Sequence, residues 1–474
     1  MILCLLAQAT TVFGFSFNVP LITLTNHNTS ACSNYSQNFG GLVSDNFGTT
    51  SVVDTSLDTI NINPNLVDES LNAVTPGHVS HVDVHKLIPN RPDLRWFANG
   101  CCWWGEGPSH HVDNGTTNTT PAYAAAMVND MASRGFNGII FSWYGIGDQT
   151  DVVAKNVSQY LATNTVVTNF TVTIMIVCGY FKGETDNGNI NVNSNDFVNS
   201  IKYCVTNYFD VTNVAGGPCY EKDNGHPIVM FFNALTSTVF TNNLQATIAG
   251  MKAASDPNAD WVNENTSDIG QSWCDMTYLW TQDHNGSNTN WMSSDPYNLI
   301  NVTNGSFQTI KNNPNKQGYG CMCAHFNGTL TKSISWSLGK YLPSNNGLCE
   351  YYRAQVISAA IPTNMTRMQW ATWSDYEEGT EVEVGTENYV ALTTQTNSAS
   401  VLSWTLTSGD VRTVDHFDVY ATTDGVNAAL ICSNVPTSIL QTNLSLIGLP
   451  PGNYQYYVDA VGLPCIRDHL STPA

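Results

Sequence analysis

Gly138-Ile139-Ile140-Phe141-Ser142-Trp143 is an apolar run too short for an ordinary helix, and a glycine opens it. A strand covered on both faces needs such a run, because neither face meets water. The segment before it has a different period. Ala124, Met127, Val128 and Met131 recur at helical spacing, after Thr120-Pro121 and before Gly135. The spacing predicts a helix with Thr120 as N-cap, Pro121 in the first turn and Gly135 as the stop. Helix, glycine, buried strand is half of a repeating βα unit.

The same alternation continues on both sides. Arg95-Trp96-Phe97-Ala98 reads as an earlier strand. Later strands are Val172 to Val177, Pro227 to Phe232, a weak Trp261-Val262, Met276 to Trp280, Gly320 to Phe326 and Met368 to Trp373. Helices are expected near Asp151–Leu161, Asp196–Tyr208, Leu244–Ala254 and Tyr351–Ala360. About eight such strands joined by helices predict an α/β fold, a (β/α)8 TIM-type barrel. An open doubly wound sheet is the other architecture, but no G-x-G-x-x-G follows the first strand, so a dinucleotide site is not indicated. After residue 395 the helical period disappears and alternating strands with Pro450-Pro451-Gly452 as a turn predict a small β-sandwich of fibronectin type III kind. The expected division is 1–17, a remnant of a secretory signal; 18–83, an irregular or β-rich segment; 84–394, the barrel; and 395–474, the sandwich.

Composition narrows the partners. The chain has 474 residues, only 12% of them charged, and a net charge of -21 with 17 Lys and Arg. Nucleic acid and anionic membranes are therefore disfavoured, whereas a neutral polysaccharide carries no electrostatic penalty. Met1 to Phe17 is largely apolar and lacks a basic start, so it reads as the end of a secretory signal, with a buried first strand as the other reading. Of 13 cysteines, Cys4 would leave with that signal. The even remainder fits disulfides in an oxidising compartment, hence an extracellular or cell-surface location. Cys101-Cys102 and Cys321-Met322-Cys323 lack zinc-type spacing. No later run is long enough to span a membrane. Frequent N-x-S/T sequons, from Asn28 to Asn443, permit glycosylation.

The chemistry concentrates in Thr372-Trp373-Ser374-Asp375-Tyr376-Glu377-Glu378-Gly379-Thr380-Glu381-Val382-Glu383, where the last barrel strand ends. Active sites of this fold sit at that end of the strands. Crowded carboxylates raise one another's pKa, so one stays protonated while another is ionised, as glycosidic cleavage requires. A solvated acidic loop or a calcium site is the competing reading. Trp103, Trp104, Trp143, Tyr144, Trp280 and Trp373 cluster at other strand ends, where flat rings suit sugar faces; core packing accounts for any single one equally well. His110, His111 and Asp113 lack a third metal ligand, so His111 is read as a hydrogen-bond partner for a sugar hydroxyl. Asp148 and Asp151 are read as site carboxylates or helix caps, with capping suiting Asp151. No metal and no cofactor is expected. No G-x-S-x-G is present, so a serine-hydrolase elbow has no support.

The Trp373-to-Glu383 stretch resembles the W-N-D-Y-E-E-G-T-E-I-E segment of glycoside hydrolase family 71, the α-1,3-glucanases or mutanases, and a similar acidic motif of the related family 99 endo-α-mannosidases. Ser133 to Gly145 is similar to the family's R-G-I-D-G-x-x-x-D-W-Y-G, and Gly77-His78-Val79-Ser80 to Val84-His85 resembles its lead-in to the barrel. The resemblance implies a secreted endo-acting hydrolase of an α-glucan such as α-1,3-glucan, inverting, with Asp375 and Glu378 as acid and base. Trp104, His111, Trp143, Tyr144, Trp280, Trp373, Tyr376 and Glu377 would contact the sugar. Two departures stand out: Ser142 replaces the Asp of D-W-Y-G, and Cys178 stands where an acidic residue is expected. They motivate a second expectation, a barrel without turnover that binds glycan or self-assembles as an extracellular structural protein.

Overall fold

The computed structural model describes residues 59–61, 79–102, 119–177, 185–186, 189–190, 194–232, 244–264, 266–280, 305–322, 326–327, 337–338, 357–375, 380–383, 385, 390–425 and 427–474. Eight strands form the central sheet: β1 Arg95–Gly100, β2 Gly138–Trp143, β3 Thr171–Val177, β4 His226–Phe232, β5 Asp260–Asn263, β6 Met276–Tyr278, β7 Gln317–Met322 and β8 Met365–Trp370. Each pairs in parallel with the next, and β8 returns to β1, so the sheet closes into a barrel.

Closure explains the apolar runs. Alternate residues of each strand face opposite sides. Phe97, Ile140, Met175, Ile228, Met230, Val262, Met276, Tyr278 and Tyr319 fill the interior. Trp96, Ile139, Phe141, Trp143, Val172 and Ile174 face outward into a larger core shared with the helices. Gly138 opens β2 because nothing larger fits: a Cβ there would lie 2.4 Å from the Thr171 carbonyl and 2.7 Å from the Phe97 ring.

The helices are α1 Pro121–Ser133, α2 Gln149–Thr163, α3 Ser194–Cys204 and α4 Leu244–Ser255. Thr120 caps α1 by accepting from the Tyr123 amide. The helix ends with Gly135 at φ 85°, while the Phe136 amide reaches Met131 O (3.0 Å) and the Gly135 amide reaches Ala132 O (3.1 Å). This double closure is the Schellman pattern, and it satisfies the Met131 and Ala132 carbonyls at the helix end. In α2 the cap is Asp148, not Asp151. β7 and β8 each begin three residues earlier than predicted, and β8 ends at Trp370, with Thr372 and Trp373 in the loop beyond the barrel.

The N-terminal end of the barrel is closed by charge. Arg95 and Arg367 stand opposite each other across β1 and β8. Glu221, fully buried, lies between them: it takes Arg367 Nε at 2.9 Å, pairs with Arg95, and accepts from Thr171 Oγ1 at 2.7 Å. Asp223 and Gln317 complete the ring around Arg367.

The C-terminal unit has seven strands: β9 Ala391–Thr396, β10 Val401–Ser408, β11 Val414–Thr422, β12 Asn427–Pro436, β13 Gln441–Asn443, β14 Gln455–Gly462 and β15 His469–Leu470. Two antiparallel sheets, β12-β11-β14-β15 and β9-β10-β13, enclose Leu402, Trp404, Phe417, Val419 and Val458. The strand Thr59–Asn61, from the segment read as irregular or β-rich, adds itself to the free edge of β12.

The barrel and the sandwich share a polar seam. Arg134, 2% exposed, donates to Val382 O and Glu383 O, pairs with Asp130, and lies 4.9 Å over the Trp373 ring. Ser80 Oγ donates to Gly462 O at 2.6 Å, and Lys86 pairs with Asp415. His416 sits between Asp415 (2.7 Å) and Asp418 (3.4 Å). Burial alone would lower its pKa, but the two carboxylates prevail and raise it to about 9. Behind it, Asp459 and Asp468 are buried in β14 and the following turn, and burial together with neighbouring carboxylates pushes both above the ordinary aspartate range.

Candidate functional site

The mouth of the barrel is built at the strands' C-terminal ends. Asn99, the last side chain of β1, is fully buried; its Oδ1 accepts from Ser142 Oγ at 3.0 Å and lies 3.7 Å from Cys101 Sγ. Cys101 Sγ also lies 3.7 Å from Ser142 Oγ. The position where the resemblance expects a carboxylate therefore holds a small hydroxyl tied to an amide and near a buried thiol. Gln369, at the top of β8, donates to Leu279 O at 2.5 Å, and among the described residues its buried Oε1 has no hydrogen-bond partner.

The loop after β8 folds back on itself. The Thr372 amide reaches Thr380 O, their hydroxyls meet at 2.8 Å, and the Thr380 amide returns to Asp375 O. The Asp375 amide is held by Thr372 Oγ1 at 2.9 Å. Trp373 N donates to Asn99 O and Ser374 Oγ to Cys101 O, so the loop is stitched to the end of β1. Asp375 is thus fixed where β8 meets β1, 5% exposed. Glu381 is fully buried, and Glu383 accepts from Tyr123 Oη at 3.1 Å, which ties it to α1.

The aromatic candidates divide. Trp280 remains half-buried beyond β6, edge-on to Phe232 (5.0 Å) and Tyr278 (6.4 Å), at the rim. Tyr144 is also half-buried at the end of β2, and its amide donates to Thr150 Oγ1. Trp143 and Trp373 do not fit the sugar-contact expectation. Both are 0% exposed. Trp143 points outward, stacks on Tyr203 and donates to Asp151; Trp373 packs edge-on against Phe136. Outward positions of a barrel strand are packing positions. Trp104, His111, Tyr376, Glu377, Glu378 and Cys178 lie outside the described residues.

Asp151 is neither cap nor rim carboxylate. It is 0% exposed and accepts from Tyr208 Oη (2.5 Å), Tyr203 Oη (2.7 Å), Trp143 Nε1 (3.1 Å) and the Gly147 amide (2.9 Å). Burial raises its pKa, but these donors outweigh burial and hold the carboxyl below its ordinary value. It is a structural hub that fixes the β2–α2 loop.

Sequence reading missed Asn99, Gln369 and Phe232. Asn99 and Phe232 occupy the inward period-two positions at strand ends, a signal hidden at Asn99 because β1 was read as ending at Ala98. The thiols also correct an expectation. Seven of the eight described cysteines, Cys101, Cys102, Cys204, Cys219, Cys274, Cys321 and Cys465, are buried thiols outside any disulfide, and Cys432 is disulfide-bonded. A chain-wide disulfide framework is therefore not what stabilises the barrel. Two sequons are occupied by structure as well: Asn364 Nδ2 donates to Ile310 O, Asn313 O and Lys316 O, and Asn156 Nδ2 to Thr119 O.

Among the described residues, no group of three or more His, Cys, Asp or Glu is placed to hold a metal ion, and no helix is long and apolar enough to cross a membrane. No family profile matches the chain, and no curated protein does. Solved structures with similar barrels include a family 99 endo-alpha-mannosidase from Bacteroides thetaiotaomicron, 15% identical over 63% of this chain and 90% of that one, with a TM-score of 0.42. A family 5 glycoside hydrolase from Bacteroides vulgatus aligns at 9% identity over 77% of this chain and 89% of that one, TM-score 0.34. A maltogenic alpha-amylase from Thermotoga neapolitana aligns at 9% over 75% of this chain and 100% of that one, TM-score 0.34. The barrel assignment itself rests on the strand register described above.

Proposed function

We propose that the chain is an extracellular glycoside hydrolase that cuts a neutral α-glucan, such as α-1,3-glucan, from within. The observation that carries this reading is Asp375, a carboxylate 5% exposed and fixed at the C-terminal end of β8 beside the end of β1. A buried carboxyl at the end of a barrel strand is placed for acid–base work. In this reading Asp375 and Glu378 act as acid and base through a water, and Trp280 and Tyr144 support the sugar rings. The low charge of the chain favours a neutral substrate.

Hydrolysis of a panel of glucans by purified protein tests the reading. Product release from α-1,3-glucan is expected, with a fall of about 10²–10⁴-fold in an Asp375→Asn, Glu378→Gln variant. Full activity in that variant would remove the assignment.

Ser142 supports a second reading, a barrel that holds glycan without cutting it. Its hydroxyl is absorbed by Asn99, and it supplies no charge to the mouth. In that case the wild type binds glucan and releases nothing. A Ser142→Asp variant that gains turnover would identify the missing carboxylate.

A further inference from the structure

The sandwich carries a groove of ≈ 350 Å³ lined entirely by its own residues. One wall is the hairpin tip between β9 and β10, with Thr396, Asn397 and Ser400; the other is the stretch from Leu444 to Gly452. Tyr454 and Tyr456 lie two residues apart, on the same face, with ring centroids 6.1 Å apart and planes 33° from parallel. Tyr454 is held in place: its hydroxyl donates to Pro450 O at 3.0 Å, and its ring lies so close over Gly452 that a Cβ there would come within 3.1 Å.

The lining chemistry is selective. No Asp, Glu, Lys or Arg lines the groove, in a chain of net charge -21. An ionic ligand would find no counter-charge there. Polar groups stand on both walls instead. Asn397 Oδ1 accepts from the Ala399 and Val401 amides, and among the described residues no acceptor is placed against its NH2. Ser445 Oγ donates to Asn443 Oδ1 and so keeps its lone pairs for a ligand. Two fixed rings between uncharged donors and acceptors match a ligand with C–H faces and hydroxyl edges. We propose that this groove binds a short stretch of a neutral glycan chain, separately from the barrel mouth. A proline-rich peptide also seeks aromatic grooves, but the hydroxyl and amide groups on both walls favour a ligand bearing hydroxyls along both edges. The inference deepens the glycan-directed reading of the barrel, yet its test does not depend on turnover.

The test is retention of the full chain on insoluble neutral polysaccharides: α-1,3-glucan, amylose, β-1,3-glucan and mannan. A Tyr454→Ala, Tyr456→Ala variant is expected to lose about tenfold in affinity for the polymer that retains the wild type, with hydrolysis of a short soluble oligosaccharide unchanged. Thr396 is exposed, so Thr396→Arg places a long cation across the groove without touching the core and is expected to do the same. Loss of retention in a chain that never hydrolyses glucan would uphold the groove and sink the hydrolase reading. Retention unchanged in both variants, no retention of the wild type on any of the four polymers, or capture of a proline-rich decapeptide in their place would overturn the groove.

Discussion

The two ends of the barrel are built on opposite principles. At the N-terminal end Arg95, Arg367, Glu221 and Asp223 form a ring in which each carboxylate meets a guanidinium, and Thr171 and Gln317 take up further bonds. At the C-terminal end the inward positions are Asn99, Ser142, Met175 and Gln369, neutral side chains, and Gln369 Oε1 is buried without a partner among the described residues. The difference separates stability from function. A closed, fully paired ring costs heavily when one member goes, whereas a mouth with spare polar capacity is arranged for something else to complete it.

The largest effect that tests this contrast belongs to Glu221. Glu221→Gln leaves Arg95 and Arg367 facing each other without their shared carboxylate, with Asp223 as the remaining carboxylate on Arg367, and removing one partner of a buried pair costs up to about 3–5 kcal/mol. Urea unfolding reads that loss; a change below about 1 kcal/mol would show the ring to be dispensable. An intermediate effect belongs to the seam. His416 has a folded pKa of about 9 against an ordinary 6.5, so its stabilisation is fully present below the unfolded value and is lost as pH rises through about 9. Lys86, Asp415, Asp418 and buried Asp459 are the charged groups set around it. Wild type is expected to exceed His416→Asn by on the order of 2 kcal/mol at pH 6, with the two converging above pH 9 or so. A gap independent of pH would assign His416 to packing alone. The smallest effect is expected at the mouth. Gln369→Leu removes the unpartnered Oε1 but also strips Leu279 O of its donor, so stability should fall by about 1 kcal/mol. A loss as large as that of Glu221→Gln would erase the distinction between the ends.

What was legible in the sequence follows from distance along the chain. Gly138 to Trp143 was read to the residue, because burial on both faces writes itself into consecutive positions. Thr120 and Gly135 were legible because caps are local chemistry. β8 was displaced because Trp373 is as apolar as a strand residue yet is buried in a loop, where Arg134 and Phe136 cover it. The Glu221 ring was invisible for the opposite reason: its members come from distant strands, and no spacing joins them. In a chain with 17 Lys and Arg, arginines at the starts of two barrel strands were the available hint. At the candidate site, the end-of-strand position of Asp375 was legible, while the outward direction of Trp143 depended on a register that only the closed sheet sets.

The pairing of Thr59–Asn61 with the edge of β12 ties the molecule's beginning to its end. During synthesis the early strand must wait for its partner, tens of seconds at a rate on the order of ten residues per second. Until then, its own chain offers no such edge to receive it. A chain clipped beyond Asn61 would keep its barrel and both of its sandwich sheets, but β12 would be left with unpaired amides and carbonyls, open to a strand from another copy. Trimming at the front would thus be felt at the back, as stickiness rather than as unfolding.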